Sequence, residues 1–495
     1  MADAALCPGV AETHTGLVVF VGDLAYKVKK PVVTDFLDFS THAHREQACL
    51  HEVELNRRLA PDSYLGIGHF QPPLPGEAPE PVIVMRRHPD ERRLAGMVRR
   101  GEDVREPLAA IAAILARFHA GAHRGPEVDE EATVDAVTGR WRENLAELDR
   151  YAAGVVPGVD PVLVADVGRR ALGFLAGRAE LFAERIDVKR IVDGHADLLA
   201  DDIFCLPEGP ALLDCLEFDD RLRYVDGVDD AAFLAMDLEF LGRPDLGAFF
   251  LRQYLELAAD DAPESLRHFY IAYRAVVRAK VECVRYTQGH TESADDARRH
   301  LQIALEHLRT GSVRLILIGG AAGTGKSTLA RALSEELAAQ VISTDDVRAQ
   351  MAARGEIAGE SGVLGEGLYT PDNIEAVYDA VLGQARRGLS RGRTVILDGT
   401  WSDPRQRQRA REVAAHSALA EFACVASLDE TVARIRTRTA TTSQVTPDIA
   451  TALAHRDHDH GSWPEAHRID TTRDLSESVT EVLDICVSPV ERRAP

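Results

Sequence analysis

Cysteine is sparse in this chain. The seven residues (Cys7, Cys49, Cys205, Cys215, Cys283, Cys424 and Cys486) are scattered, odd in number and form no C-x-x-C pair. That spacing argues against a disulfide framework or a zinc ribbon and fits a reducing compartment. Long apolar runs are missing too, and nothing approaches the unbroken length of a membrane span. The first residues, MADAALCPGVAETHTG, lack a basic region followed by an apolar core, so no secretory signal is expected and the expected location is the cytoplasm. Positive charge is in deficit, since 57 Lys and Arg against 79 Asp and Glu leave a net charge of −22. That balance argues against a broad nucleic-acid or anionic-membrane surface. Internal repeats and low-complexity segments are absent as well. What remains is a chain of 495 residues with 45% hydrophobic side chains, too long for a single core and apolar enough for two or three.

The strongest signal is Leu315 to Ala330, LILIGGAAGTGKSTLA. A short apolar strand runs into Gly320-Ala321-Ala322-Gly323-Thr324-Gly325-Lys326-Ser327, and a helix follows with Leu329, Ala330 and Leu333 at helical spacing. Strand, glycine loop and helix in that order make a phosphate-binding loop. Glycines let several backbone N–H groups face one anion, and the helix N-terminus adds its partial positive charge. Lys326 then reaches the β- and γ-phosphates of ATP, Ser327 holds Mg²⁺, and Thr328 belongs to the same nucleotide-binding turn. Gln340–Ser343, Thr394–Leu397 and Glu421–Ala426 read as further strands alternating with helices, which predicts an α/β domain with a parallel sheet over residues 313–488. Ligands in such sheets sit at the strand C-terminal ends, where Asp345, Asp346, Arg348 and Asp398 stand.

The first three hundred residues read as an α+β domain, 1–310. Thr15–Phe20 and Leu24–Val28 form a hairpin around Gly22-Asp23, with Ala25, Lys27 and Lys29 on one face. His42–Leu59 is a helix with Leu50, Val53 and Leu59 on its apolar stripe. Pro81–Met85 is a strand and Leu108–His119 a helix. Short strands follow at Ile203–Leu206 and Ala211–Leu213. Helices are expected over Tyr224–Glu239, Leu241–Leu257, His268–Tyr286 and Ala294–Leu308. Asp219, Asp220, Asp226, Asp229 and Asp230 read as mostly solvated cap and loop acids. If this domain takes a cationic, amino-sugar-like substrate, some of them line its pocket.

Two stretches carry chemistry there: Asp193-Gly194-His195-Ala196-Asp197 to Asp202, and Leu212-Leu213-Asp214-Cys215-Leu216-Glu217. They resemble the catalytic loop and metal-binding segment of the aminoglycoside phosphotransferase branch of the kinase-like fold, and Phe118-His119 resembles it also. The resemblance spans roughly residues 10 to 305. It implies that Asp197 accepts the substrate hydroxyl proton, that Asp202 and Asp214 hold Mg²⁺, and that Lys27 binds the phosphates with Glu52 as its partner. Lys29 competes for the lysine role, and Glu46 or Glu54 for that of Glu52. Ala196 stands where the family has glycine, a mild change where the local φ is negative. Asp202 replaces an asparagine and adds charge. The segment before the first hairpin is very short, which implies a reduced lid over ATP.

The second domain resembles small P-loop kinases of metabolites and nucleic-acid ends, the gluconate kinase, chloramphenicol phosphotransferase, zeta-toxin and polynucleotide kinase group. By that resemblance Asp345, or alternatively Asp346, is the base, and Arg348 clamps the acceptor. Asp398 orients Mg²⁺ through water or contacts the acceptor. Arg434, Arg436 and Arg438 belong to a mobile arginine-rich lid, with Arg434 serving catalysis and Arg438 the nucleotide. His455 to His460 alternates acids and histidines without a spacing that specifies a metal geometry. The whole chain is similar to proteins joining these two domains. The implied activity is an ATP- and Mg²⁺-dependent, bifunctional phosphotransferase acting on a hydroxyl of a small molecule. The competing readings are a first domain that senses ligand without turnover, and an ATP-hydrolysing switch that engages another protein.

Overall fold

The computed structural model describes residues 9–12, 16–33, 38–71, 78–360, 366–437 and 463–487. The backbone divides into two compact units. One comprises Met1–Gly168, Phe182–Ala262 and Arg267–His307. The other comprises Arg169–Leu181, Pro263–Leu266 and Leu308–Pro495.

The first unit begins with strands β1 (Gly9–Glu12), β2 (Gly16–Val21), β3 (Leu24–Lys29), β4 (Tyr64–Phe70) and β5 (Glu80–Arg86). They form one antiparallel sheet in the order β1-β2-β3-β5-β4. The short segment ahead of the expected hairpin is therefore itself a strand, Gly9 facing Phe20 across the ladder. The helix His42–Asn56 follows β3, its start fixed by Thr41, whose side chain accepts the His44 N–H at 3.2 Å. Its buried face carries Cys49, Glu52, Val53 and Asn56, whereas Leu50, expected on the apolar stripe, is 56% exposed.

Two small antiparallel strand pairs sit in the α-rich part. They pair β6 (Ile191–Asp193) with β9 (Tyr224–Asp226), and β7 (Ile203–Leu206) with β8 (Gly209–Leu212). The helix expected from Tyr224 thus starts three residues late, at Gly227: the first three residues pair with β6, and Asp226 then caps the helix Gly227–Phe240 by accepting the Val228 N–H at 2.9 Å. The next helix, expected from Leu241, starts at Pro244, where proline suits the first turn. Asp226, Asp229 and Asp230 are buried rather than solvated. Each has found a cationic or hydrogen-bonding partner. Arg185 makes a bidentate contact to Asp226 at 2.7 Å and reaches Asp260 at 2.6 and 2.7 Å. Arg274 clamps Asp229 at 2.8 and 2.9 Å.

The second unit holds a five-stranded, all-parallel sheet of β10 (Arg314–Gly319), β11 (Gln340–Ser343), β12 (Val395–Asp398), β13 (Ala418–Val425) and β14 (His467–Asp470). The order β11-β12-β10-β13-β14 places β10 at the centre. Ile316 and Ile318 on one face of β10 pack with Leu329, Ala330 and Leu333 of the helix Lys326–Glu336, and with Ile396, Phe422, Ile469 and Val482. The first unit is α+β, with an antiparallel sheet and an α-rich part. The second is α/β, with a glycine loop after the central strand of its parallel sheet.

Arg185 neutralises two buried carboxylates, so Arg185→Met strips Asp226 of its counter-charge and leaves Asp260 with Arg190 alone, at 3.6 Å. We expect a loss of roughly 3–5 kcal/mol of stability, read from the denaturant midpoint.

Candidate active sites in the two units

In the first unit β3 presents Lys27 toward the helix His42–Asn56. Its Nζ lies 2.8 Å from Glu52 Oε1 and 2.8 Å from Asp214 Oδ1. Glu46 instead pairs with His69 at 3.0 Å, and Glu54 is exposed. Lys29, on the same face of the strand, contacts Glu52 Oε2 and lies 2.7 Å from Glu217 Oε1. Burial alone would discharge this ammonium–carboxylate cluster. The carboxylates around Lys27 instead hold its ammonium well above the ordinary range. The Lys27 charge holds the Asp214 carboxyl low against burial. Glu52 is wholly buried, which favours its neutral form, yet Lys27 and Lys29 keep its carboxyl below the usual range.

The loop carrying Asp197 is fixed from beneath. Asp230, on the buried helix Gly227–Phe240, accepts the backbone N–H groups of His195 at 2.7 Å and Ala196 at 2.8 Å. It also accepts His119 Nε2–H at 2.9 Å, and the other ring nitrogen of His119 accepts the Tyr254 hydroxyl at 2.8 Å. His195 reaches across to the Leu213 carbonyl at 3.1 Å, beside Asp214. These bonds impose φ = +65° on Ala196. The alanine therefore occupies the left-handed region that suits the family's glycine, and the substitution is a strained one rather than a mild one with negative φ. Burial pushes the Asp197 carboxyl up to about 6, against the pull of Arg278 and Arg274. Asp202 closes the short 3-10 turn Ala200–Asp202 ahead of β7. Burial raises its carboxyl well above the ordinary value, and the charges of Asp214 and Asp197 raise it further. Mutually repelling acids of this kind suit a divalent cation.

In the second unit β10 runs into the glycine loop. Gly320 has φ +130°, and a Cβ there would lie 2.5 Å from the Cys424 carbonyl. Gly323 has φ +81°, and its Cβ would meet Thr431 at 2.8 Å. Both positions therefore require glycine. Gly325, at φ +88°, is the residue before the helix Lys326–Glu336. Lys326 Nζ donates to the Ala321 carbonyl at 2.8 Å, curling over the loop, and the Thr324 hydroxyl donates to the same carbonyl at 2.8 Å. Ser327 Oγ donates to Asp398 Oδ2 at 2.5 Å, joining the helix to the end of β12, while Thr328 is exposed on the first helical turn. Burial raises the Asp398 carboxyl although Lys326 opposes it.

Past β11, Ser343 caps the helix Thr344–Ala353. One turn in, Arg348 Nη1 lies 2.6 Å from Asp345 Oδ1, with its guanidinium 4.5 Å from the Tyr369 ring centroid. Asp346 is exposed. Arg434 sits beside the glycine loop: it donates to the Thr471 carbonyl at 2.7 Å, and a Cβ on Gly325 would come within 3.4 Å of its Nη1. Arg436 points to solvent from the same helix, Leu428–Thr437. Arg438 and the stretch His455–His460 lie outside the described residues. No group of three or more His, Cys, Asp or Glu among the described residues could hold a metal by itself. The pairs Asp202/Asp214 and Ser327/Asp398 offer hard oxygens, and Mg²⁺ shared with phosphates needs no more than one or two carboxylates.

Sequence reading missed the buried role of Asp230, the sharing of Glu52 by Lys27 and Lys29 rather than a choice between them, the contact of Lys29 with Glu217, and Thr471. An acid pair inside the apolar run VDDAAFLAM was the available signal for Asp230, because an unpaired carboxylate is rarely buried. For Thr471, which donates to the Thr324 carbonyl at 2.6 Å, no local signal exists.

A family model described as an AAA domain matches residues 315–457. Uncharacterized proteins of Mycobacterium tuberculosis and Mycobacterium bovis are 55% identical over 487 residues, spanning 97% of this chain and 96% of theirs. Among solved structures, a choline/ethanolamine kinase family protein from Mesorhizobium loti covers 61% of this chain and 92% of its own, at 14% identity and a TM-score of 0.37. A gluconokinase from Sinorhizobium meliloti covers 35% of this chain and 90% of its own, at 20% identity and a TM-score of 0.26.

Asp230→Ala leaves two backbone N–H groups and His119 without their acceptor. We expect a loss of roughly 3 kcal/mol or more at neutral pH. Burial works against the Asp230 charge, but the bonds from His119 and His195 hold its carboxyl well below the usual range. A depressed folded-state value stabilises above the unfolded-state pKa and is lost as pH falls. The gap between the wild type and Asp230→Ala should therefore narrow below about pH 4 in denaturant titrations.

Proposed function

We propose that this chain, which belongs to the family of the 55% identical mycobacterial proteins, is an ATP- and Mg²⁺-dependent phosphotransferase with two active domains. Residues 1–310 form the kinase-like domain and residues 313–488 the P-loop kinase domain. Each moves the γ-phosphoryl group to a hydroxyl of a small molecule. The observation that carries this reading recurs in both units: a lysine beside a hard-oxygen acid at a strand's end, Lys27 with Asp214 and Lys326 with the Ser327–Asp398 pair. Phosphoryl transfer is mostly positioning and charge neutralisation, which such pairs supply.

In the first domain Lys27, oriented by Glu52, binds phosphate oxygens. Asp197 accepts the proton from the acceptor hydroxyl, and the bonds from Asp230 keep its loop in place. In the second, the loop from Gly320 to Thr328 and Lys326 hold the phosphates. Asp345 accepts the acceptor's proton, Arg348 clamps the acceptor, and Arg434 with Arg438 neutralises charge at the transferring group. Asp202 and Asp214 in one domain, and Ser327 and Asp398 in the other, hold Mg²⁺. When bound, that ion offsets the charge that builds on the phosphate oxygens.

A second reading rests on Ala196, held at φ +65°, and on Asp202, an acid where the resemblance implies asparagine. A first domain altered at these two positions binds ligand without turnover, as a sensor joined to one active P-loop kinase.

The test is transfer of label from γ-labelled ATP to a panel of small hydroxyl compounds. We expect Asp197→Asn to lower transfer by the first domain about 10²- to 10⁴-fold with nucleotide affinity nearly intact. Full turnover in Asp197→Asn would remove Asp197 as the base. ATP hydrolysis with no labelled acceptor from any compound would replace the transferase reading with that of a hydrolytic switch.

A further inference from the structure

Lys29 is a lysine that no nucleotide contact explains. Its side chain is fully buried, although lysine is almost never so unless paired. It contacts Glu52 Oε2, lies 2.7 Å from Glu217 Oε1, and stands 5.2 Å from the centroid of the Phe39 ring. The Glu52 carboxylate is thus split between two ammonium groups, Oε1 to Lys27 and Oε2 to Lys29. Lys27 is itself shared, at 2.8 Å to both Glu52 and Asp214.

Lys27 has three N–H donors and the carboxylates take two of them, so a phosphate can meet the third while the Glu52 contact stays. That phosphate then enters a cluster in which Glu52, Asp214 and Glu217 already act on the Lys27 charge. Lys29 offsets this excess of negative charge. It contacts Glu52 and Glu217, and its burial keeps it from reaching a nucleotide.

We propose that Lys29 is a positioning residue of the first domain: a fixed counter-ion that neutralises Glu52 and Glu217 and so leaves the Lys27 charge available to the phosphates of a nucleotide. This rests on the first domain binding ATP, as proposed above. Charge neutralisation separates Lys29 from a residue that merely fills space. Without it, the Lys27 charge is spent on the surrounding carboxylates and phosphate recognition suffers, while recognition of the nucleoside does not.

The experiment uses the whole chain carrying Lys326→Ala, so that binding reports on the first domain. Affinities for a non-hydrolysable Mg·ATP analogue and for adenosine are measured with Lys29→Met and Lys29→Arg added in turn. Lys29→Met is expected to weaken the ATP analogue about tenfold or more and to leave adenosine within about twofold; Lys29→Arg is expected to restore most of the loss. Lys29→Gln keeps a donor of similar reach without the charge, and is read in its place if Lys29→Met does not fold. Equal weakening of ATP analogue and adenosine would reduce Lys29 to a structural residue and overturn the inference. So would unchanged ATP affinity in both uncharged variants. No nucleotide binding at all in the Lys326→Ala parent would overturn the two-site reading itself, and this inference with it.

Discussion

A carboxylate wholly removed from water has to be matched by positive charge, and Glu52 is one. Much of the first unit's site can be derived from that requirement. Lys27 and Lys29 lie two apart on β3, so the alternation of the strand turns both toward the helix that carries Glu52. The same two ammonium groups then reach Asp214 and Glu217, which follow β8. Sheet, helix and the segment Asp214–Glu217 are thereby tied at one charge cluster. Asn56 adds a neutral tie one turn further on, its Oδ1 accepting the Cys215 N–H at 2.9 Å. A second buried acid, Asp230, does for the Asp197 loop what Glu52 does for β3: it sets backbone geometry by being satisfied in one arrangement.

The second unit builds its candidate site by other means. It orients backbone rather than buried ion pairs. Gly320 and Gly323 hold conformations that side chains would obstruct, and the helix beginning at Lys326 directs its first N–H groups into the loop. The charged residues around it lie nearer the surface. Lys326 rests on a carbonyl of its own loop, and Arg434 on that of Thr471. One chain thus carries two physically different candidate sites, a desolvated ion cluster and a preorganised backbone cradle. An acidic chain needs such local devices, since its net charge of −22 repels phosphate at long range.

Legibility in the sequence followed the range of the interactions. The glycine loop, its strand and its helix are contiguous, so spacing alone identified them, and Ser327 with Lys326 came with the pattern. Hairpin and helix periods placed β3 and the helix of Glu52, but not which lysine met which acid. That choice depends on a contact between residues 25 apart and another between residues 187 apart. Asp226, Asp229 and Asp230 were misread as solvated because acids after a strand are ordinary caps. Only the distant arginines and His119 reveal that they are buried and satisfied. The positive φ of Ala196 was likewise out of reach, since local preference points the other way and Asp230 overrides it. Strand β1 escaped notice because a run of four residues has too few positions to show alternation.

The central claim is that both units hold nucleotide. The most direct measurement is the calorimetric stoichiometry of a non-hydrolysable Mg·ATP analogue on the wild-type chain and on Lys326→Ala. The account predicts two sites per chain, falling to one in the variant. One site falling to none would contradict it, and would make the first domain a sensor or scaffold attached to a single P-loop kinase.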